Sequence, residues 1–195
     1  MTHIVQILLI SGSIRHPSHT CTLTERVEKA LTKHKAATIH WNLRMMPLPI
    51  ADPTFHHDPV QHTDEKVRTL VAHAASCDAF VLSSPVYHNS YSGVLKNALD
   101  HLAIAQFYYK PIGLISHDEN GSTQAVDHLR TVVRGLLGIA IPTQVCTAEQ
   151  DYFEIGEGED YELNSEKIVQ RIERFALELM LFAHQFRLFR QSILR

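Results

Sequence analysis

The chain has 195 residues, 45% of them hydrophobic and 20% charged, and its 18 basic and 21 acidic side chains leave a formal charge of −3. That length suits one domain with a self-sufficient core, the near-balance of charge excludes the basic face of a nucleic-acid binder, and eight Gly and eight Pro exclude collagen-like and low-complexity classes. Cys21, Cys77 and Cys146 form no CxxC pair, which argues against a disulfide framework or a zinc site and fits a reducing, cytoplasmic setting.

Residues 5–10 are a short apolar run ending at Ser11-Gly12-Ser13. The run reads as a strand buried on both faces, without the basic n-region of a signal peptide. Residues 20–34 then read as a helix with Leu23, Val27, Ala30 and Leu31 on one face. Residues 37–42 are a weak second strand. A connection carrying Pro47, Pro49, Pro53 and Pro59 leads to a helix opened by Thr63-Asp64-Glu65, a cap with first-turn acids. Residues 79–82 are the third strand, followed by a loop to Gly93 and a third helix over residues 93–106. Residues 112–115, 122–137 and 139–145 read as strand, helix and strand. A long acidic loop covers residues 149–162. Asn164 or Ser165 caps a last helix with the stripe Ile168, Ile172, Phe175, Ala176, Leu179, Phe182, Ala183 and Phe186. Its further apolar residues suit either a subunit interface or a broad core contact with a flexible tail over residues 187–195. No stretch reaches the roughly 18 apolar residues of a membrane span.

Strands alternating with helices predict a parallel sheet covered on both faces. Five βα units in one domain, residues 1–195, fit an α/β, three-layer, flavodoxin-like fold with a five-stranded parallel sheet of order 2-1-3-4-5. Ligands in such sheets bind beyond the carboxyl ends of the strands where the order reverses, between strands one and three. The loops starting at Ser11, Ser84 and Ser116 are therefore the candidates.

The first loop, residues 11–20, offers Ser11, Ser13, Ser18, Thr20, Gly12 and Arg15, and runs directly into a helix. Hydroxyls, a helix N-terminus and one guanidinium suit a single phosphate monoester. Neither G-x-G-x-x-G nor a P-loop Lys is present. Ser and Thr before a helix are also ordinary caps. In the second loop Pro85 stiffens the backbone and Tyr87 can flank a flat ring. A turn with a core Tyr is the plainer alternative. The third loop, from Ser116-His117-Asp118, reads as a polar turn. Together the loops describe a mononucleotide site with one phosphate and a planar head group.

The stretch Gly12-Ser13-x-Arg15-x-x-Ser18-x-Thr20 resembles the phosphate motif of the NAD(P)H-dependent FMN reductase family, and Pro85-Val86-Tyr87 with Ser92-Gly93-Val94-Leu95-Lys96-Asn97-Ala98-Leu99-Asp100 resembles its second signature. The resemblance spans residues 4 to about 186. It implies that Ser13, Arg15, Ser18 and Thr20, with Cys21 beside them, hold the FMN phosphate. It also implies that Pro85, Val86, Tyr87, His88 and Asn89 line the isoalloxazine, with Ser116 and His117 near its pyrimidine end. Thr20 stands where Asn is common, Val86 and His88 where Glu and Asn are frequent, and His117-Asp118-Glu119-Asn120-Gly121 where many members carry Gly-Gly.

The implied activity is hydride transfer from NADPH or NADH to FMN and on to a small acceptor: free FMN, a quinone, an azo or a nitro compound. The implied kinetics are ping-pong, with no side chain needed as acid or base. A homodimer or homotetramer is implied, with no nucleic-acid or membrane partner. A flavodoxin-like electron carrier and a non-catalytic flavin-binding regulator are the alternatives. Fourteen His are the one unusual count. His56, His57 and His62 lie in a Pro-flanked loop away from the strand ends, without helical metal spacing. A metal site is not expected and surface histidines are, whereas His88 and His117 fall on the flavin loops.

Overall fold

The structure, a computed structural model, describes residues 3–156 and 158–193. The first half of the fold is β1 (Gln6–Ser11), α1 (His19–Lys33), β2 (Ala37–Asn42), α2 (Glu65–Ser76), β3 (Ala79–Tyr87), β4 (Ser90–Tyr91), α3 (Gly93–Asp100) and α4 (Ile104–Phe107). The second half is β5 (Pro111–His117), α5 (Gln124–Gly135), β6 (Ile139–Ala140), β7 (Val145–Thr147), β8 (Tyr152–Ile155), β9 (Asp160–Leu163) and α6 (Glu166–Ile193).

The parallel sheet runs β2-β1-β3-β5-β6, with β7 also beside β5. Its order is the expected one, with the fifth strand in two pieces. The burial of β1 shows why its sequence is continuously apolar. Ile7 and Leu9 pack in one core with Leu23 and Val27 of α1 and Phe175 and Leu179 of α6. Leu8 and Ile10 pack in a second core with Val67 and Leu70 of α2, Leu95 of α3 and Leu129 of α5. A strand that alternates between two covered faces has no polar position to spare.

Four stretches depart from the sequence expectation. The third strand does not stop at Leu82 but continues through Tyr87, then turns back into β4. His88 and Asn89 form the two-residue turn with φ of 48° and 61°, the double left-handed geometry that matches strand twist. The helix expected over residues 93–106 ends at Asp100; His101 bonds the Pro49 carbonyl at 2.9 Å, and α4 restarts after Ala103. The fifth strand breaks at residues 141–144, where Pro142 has no N–H to offer a ladder. Arg130 takes the Ile141 and Pro142 carbonyls, and Glu178 accepts the Thr143 amide at 2.9 Å. The acidic loop is largely the antiparallel hairpin β8–β9; Glu157 lies outside the described residues.

The expected tail from residue 187 is the last two turns of α6 as far as Ile193. Arg190 lies 3.6 Å from buried Asp78 and bonds the Tyr109 carbonyl at 3.2 Å, which ties this end down. Residues 194 and 195 lie outside the described residues. No helix among the described residues is long and apolar enough to cross a membrane.

Candidate functional site

A cleft of about 330 Å³ opens at the carboxyl ends of β1, β3 and β5, between the phosphate-type loop, the β3–β4 hairpin and the loop after β5. Its volume falls in the usual range for small-ligand sites, ~300–1,000 Å³. The loop after β1 is pinned by Gly12. The Gly12 amide donates to the Ser83 carbonyl at 2.8 Å and its carbonyl accepts from Ser92 Oγ at 2.6 Å. A Cβ here would sit 2.8 Å from both Leu95 Cβ and Ser92 Oγ. Ser18 N-caps α1 by accepting from the Cys21 amide and donates to Ser13 Oγ at 2.8 Å. The first-turn amides of His19 and Thr20 have no partner within their own helix. Arg15 is exposed and makes no ion pair among the described residues. This donor set, with a positive helix end and a free guanidinium, fits a phosphate monoester.

The β3–β4 hairpin forms the opposite wall. Pro85 is buried, and Tyr87, His88 and Asn89 are exposed at the rim. Ser84 Oγ accepts from the Ser92 amide at 2.8 Å, so the hairpin is closed by side chain as well as by pairing. The third side is the turn after β5, where Asp118 Oδ1 accepts from the amides of Asn120 and Ser122.

The hairpin β8–β9 folds over this side and adds an aromatic stack. The His19 ring lies between His117, at 4.2 Å and 24°, and Tyr161, at 3.5 Å and 17°. Tyr152 meets both imidazoles edge-on. Burial holds the His117 pKa down at about 4, with the His19 charge acting in the same direction. Burial lowers His19 as well, opposed by Glu149. Burial therefore favours the neutral form of both rings.

Of the residues expected at the site, Ser13, Arg15, Ser18, Thr20, Pro85, Val86, Tyr87, His88, Asn89 and His117 line this one cleft. Cys21 and Ser116 do not. Cys21 Sγ turns toward Asn42, and Ser116 is fully buried with Oγ toward the Ser122 carbonyl. His19 and Glu149 line the cleft without having been singled out. His19 was readable from its place between Ser18 and Thr20; Glu149 was not, because only the fold brings β7 beside β5. The expectation that the remaining histidines are on the surface fails for His62 and His101, which are buried and packed against each other at 5.2 Å. His62 Nδ1 accepts the Asp64 amide ahead of α2. Among the described residues no three metal-ligating side chains converge.

Fold and cleft together define a flavodoxin-like α/β domain. Two solved structures share that fold. A flavoenzyme NAD(P)H:(acceptor) oxidoreductase from Paracoccus denitrificans superposes with a TM-score of 0.73 at 19% identity, over 94% of this chain and 99% of that one. A flavodoxin from the domain Archaea gives 0.63 at 8% identity, again over 94% and 99%. The family model for NADPH-dependent FMN reductase matches residues 5–152. An FMN-dependent NADPH-azoreductase of Staphylococcus saprophyticus is 37% identical over 179 residues, 91% of either chain. The chain belongs to the NADPH-dependent FMN reductase family; it is an FMN-dependent NAD(P)H oxidoreductase.

Proposed function

We propose that the chain, as one domain over residues 1–195, seats FMN in this cleft and reduces small acceptors with NADPH or NADH. The observation that carries the reading is the hydroxyl-lined start of α1 beside an Arg15 without an ion pair among the described residues. Ser13, Ser18, Thr20 and Arg15 would hold the phosphate, and the wall from Pro85 to Asn89 would flank the ring. FMN held there would supply the hydride-accepting and electron-donating chemistry between a nicotinamide and the second substrate. The chain's own part is to bind, orient and exclude water, and no side chain is assigned as acid or base. A cleft that admits the two substrates in turn would give ping-pong kinetics. The acceptor class is a quinone, an azo or nitro compound, or free FMN; the named relative supports the azo member of that set.

The protein is proposed to be cytoplasmic, in keeping with three free cysteines, and to work as a homodimer or homotetramer. Leu177, Leu181, Leu188 and Phe189, all exposed on α6, support an interface there. The test is an acceptor screen of the FMN-loaded protein with NADH and NADPH in turn. Turnover with menadione or an azo dye, with parallel lines in double-reciprocal plots, is expected. A yellow protein that oxidises neither nicotinamide would refute the catalytic reading and leave a carrier or a regulator. A stable one-electron form on photoreduction would point to the carrier.

A further inference from the structure

His117 ends β5 at the cleft, and its ring is set from behind by two hydroxyls. Its Nδ1 lies 3.1 Å from Thr147 Oγ1, which lies 2.9 Å from the Tyr152 hydroxyl and 3.4 Å from the Ser116 carbonyl. Tyr152 is half-buried and desolvation pushes its phenol above the ordinary value, so it keeps its hydrogen. Its hydroxyl has no other partner among the described residues, and its hydrogen is assigned to Thr147 Oγ1 at 2.9 Å. Thr147 has one hydrogen of its own to give. Of the two acceptors within its reach the Ser116 carbonyl is the more distant, at 3.4 Å, and His117 Nδ1 the nearer, at 3.1 Å, so its hydrogen is assigned to His117 Nδ1. A neutral imidazole that accepts at Nδ1 carries its hydrogen on Nε2.

The second nitrogen faces open space. Among the described residues no buried side-chain nitrogen or oxygen lacks a partner, and His117 Nε2 has none, so Nε2 is in contact with solvent. The residue lines the cleft. The ring cannot swing freely, because it is stacked on His19, which is itself covered by Tyr161.

We propose that His117 Nε2–H is a fixed hydrogen-bond donor at the floor of the cleft, aimed at a carbonyl-type oxygen on the polar edge of the flat ligand, and that Thr147 and Tyr152 are the positioning residues that set it. The inference rests on the FMN reading above, since the pyrimidine ring of a flavin carries two such oxygens. A ring nitrogen at this position serves as a donor only in one tautomer. The two hydroxyls therefore decide whether the site accepts a carbonyl edge or an N–H edge.

Two measurements test this. Nitrogen NMR of the ¹⁵N-histidine-labelled apoprotein at pH 7 is expected to show His117 protonated on Nε2 alone. Thr147→Val is expected to release that preference into a tautomer mixture, and Thr147→Ser to keep it. In fluorescence titrations of apoprotein with FMN, His117→Phe is expected to weaken binding ~3–10-fold, the scale of one neutral hydrogen bond, and to shift the bound flavin's absorption band. Thr147→Val should weaken binding in the wild-type background and add nothing in the His117→Phe background. His117 found protonated on Nδ1, or Thr147→Val costing as much without His117 as with it, overturns the proposal. Wild type that binds FMN while a folded His117→Phe binds it equally well overturns this inference alone. Wild type that takes up no FMN overturns the flavin reading and the inference with it. Should His117→Phe fail to fold, the tautomer of the wild type alone decides.

Discussion

Ser92 joins the two loops on which the cleft depends, and Ser92→Ala measures what that joint contributes. Its hydroxyl donates to the Gly12 carbonyl at 2.6 Å and accepts from the Leu95 amide at 3.3 Å as the N-cap of α3. The side chain is 1% exposed, so water does not replace either bond on truncation. Loss of an N-cap costs ~0.5–2 kcal/mol, and an orphaned buried carbonyl costs a further ~1–3 kcal/mol. Together they give ~2–4 kcal/mol once overlap is discounted, a large part of the ~5–15 kcal/mol by which domains are stable. For a chain of this size that corresponds to a fall in Tm of ~4–16 °C. Ser92→Gly separates the two terms, because Gly caps within a few tenths of a kcal/mol of Ser yet cannot reach Gly12. Urea unfolding of the apoproteins is the assay. Ser92→Gly should fall between wild type and Ser92→Ala. A Ser92→Ala midpoint equivalent to less than ~0.5 kcal/mol below wild type, the size of an ordinary surface change, would refute the joint.

Arg15→Ala should weaken FMN binding by about 1.5–3 kcal/mol, roughly 10–150-fold in Kd, the usual worth of a hydrogen bond to a charged group; fluorescence titration of the apoprotein checks it, and an unchanged Kd removes the phosphate assignment. Burial holds His117 at about 4 against 6.5 unfolded, so the unfolded chain binds the extra proton between those pH values. Its contribution to stability is full above pH 6.5 and is lost as pH falls toward 4, by up to about 3 kcal/mol. Denaturation of apoprotein at several pH values should show that slope, and His117→Phe should flatten it. Gly113→Ala places a Cβ 2.2 Å from Phe175 Cζ, which should cost ~1–3 kcal/mol; a double-mutant cycle in urea should show Phe175→Leu relieving it.

The parallel sheet was legible because β1 must fill two cores at once, and only a continuous apolar run does that. The continuation of β3 was not legible, because Ser83-Ser84-Pro85 is turn chemistry by composition. In the fold, Ser83 Oγ accepts from Thr24 Oγ1 at 2.8 Å and Ser84 Oγ donates to the Pro85 carbonyl at 2.7 Å. Pro85 lies beyond Ser83, the last residue of β3 paired with β1. A strand with one free side tolerates a missing N–H there. The break in the fifth strand shows the same limit from the other direction. Pro142 signalled it, but the bonds that make the break stable come from Arg130 on α5 and Glu178 on α6.

The candidate site divides along the same line. Ser13, Arg15, Ser18 and Thr20 follow one another along a single loop, so their shared chemistry could be read directly. The stack around His19 could not, because its members come from α1, β5 and β9, and β9 lay within a stretch whose acids suggested a solvated loop. The signal there was alternation. Tyr152, Glu154, Tyr161 and Leu163 share one face of the β8–β9 ladder, and Phe153, Ile155, Asp160 and Glu162 share the other. Leu163 is buried on the first face while Phe153 and Ile155 are exposed on the second. Counting charge hid a period of two. That period carries Tyr152 to Thr147 and Tyr161 to His19. The hairpin thereby fixes the state of His117, a residue the sequence did identify but whose hydrogen only the fold can place.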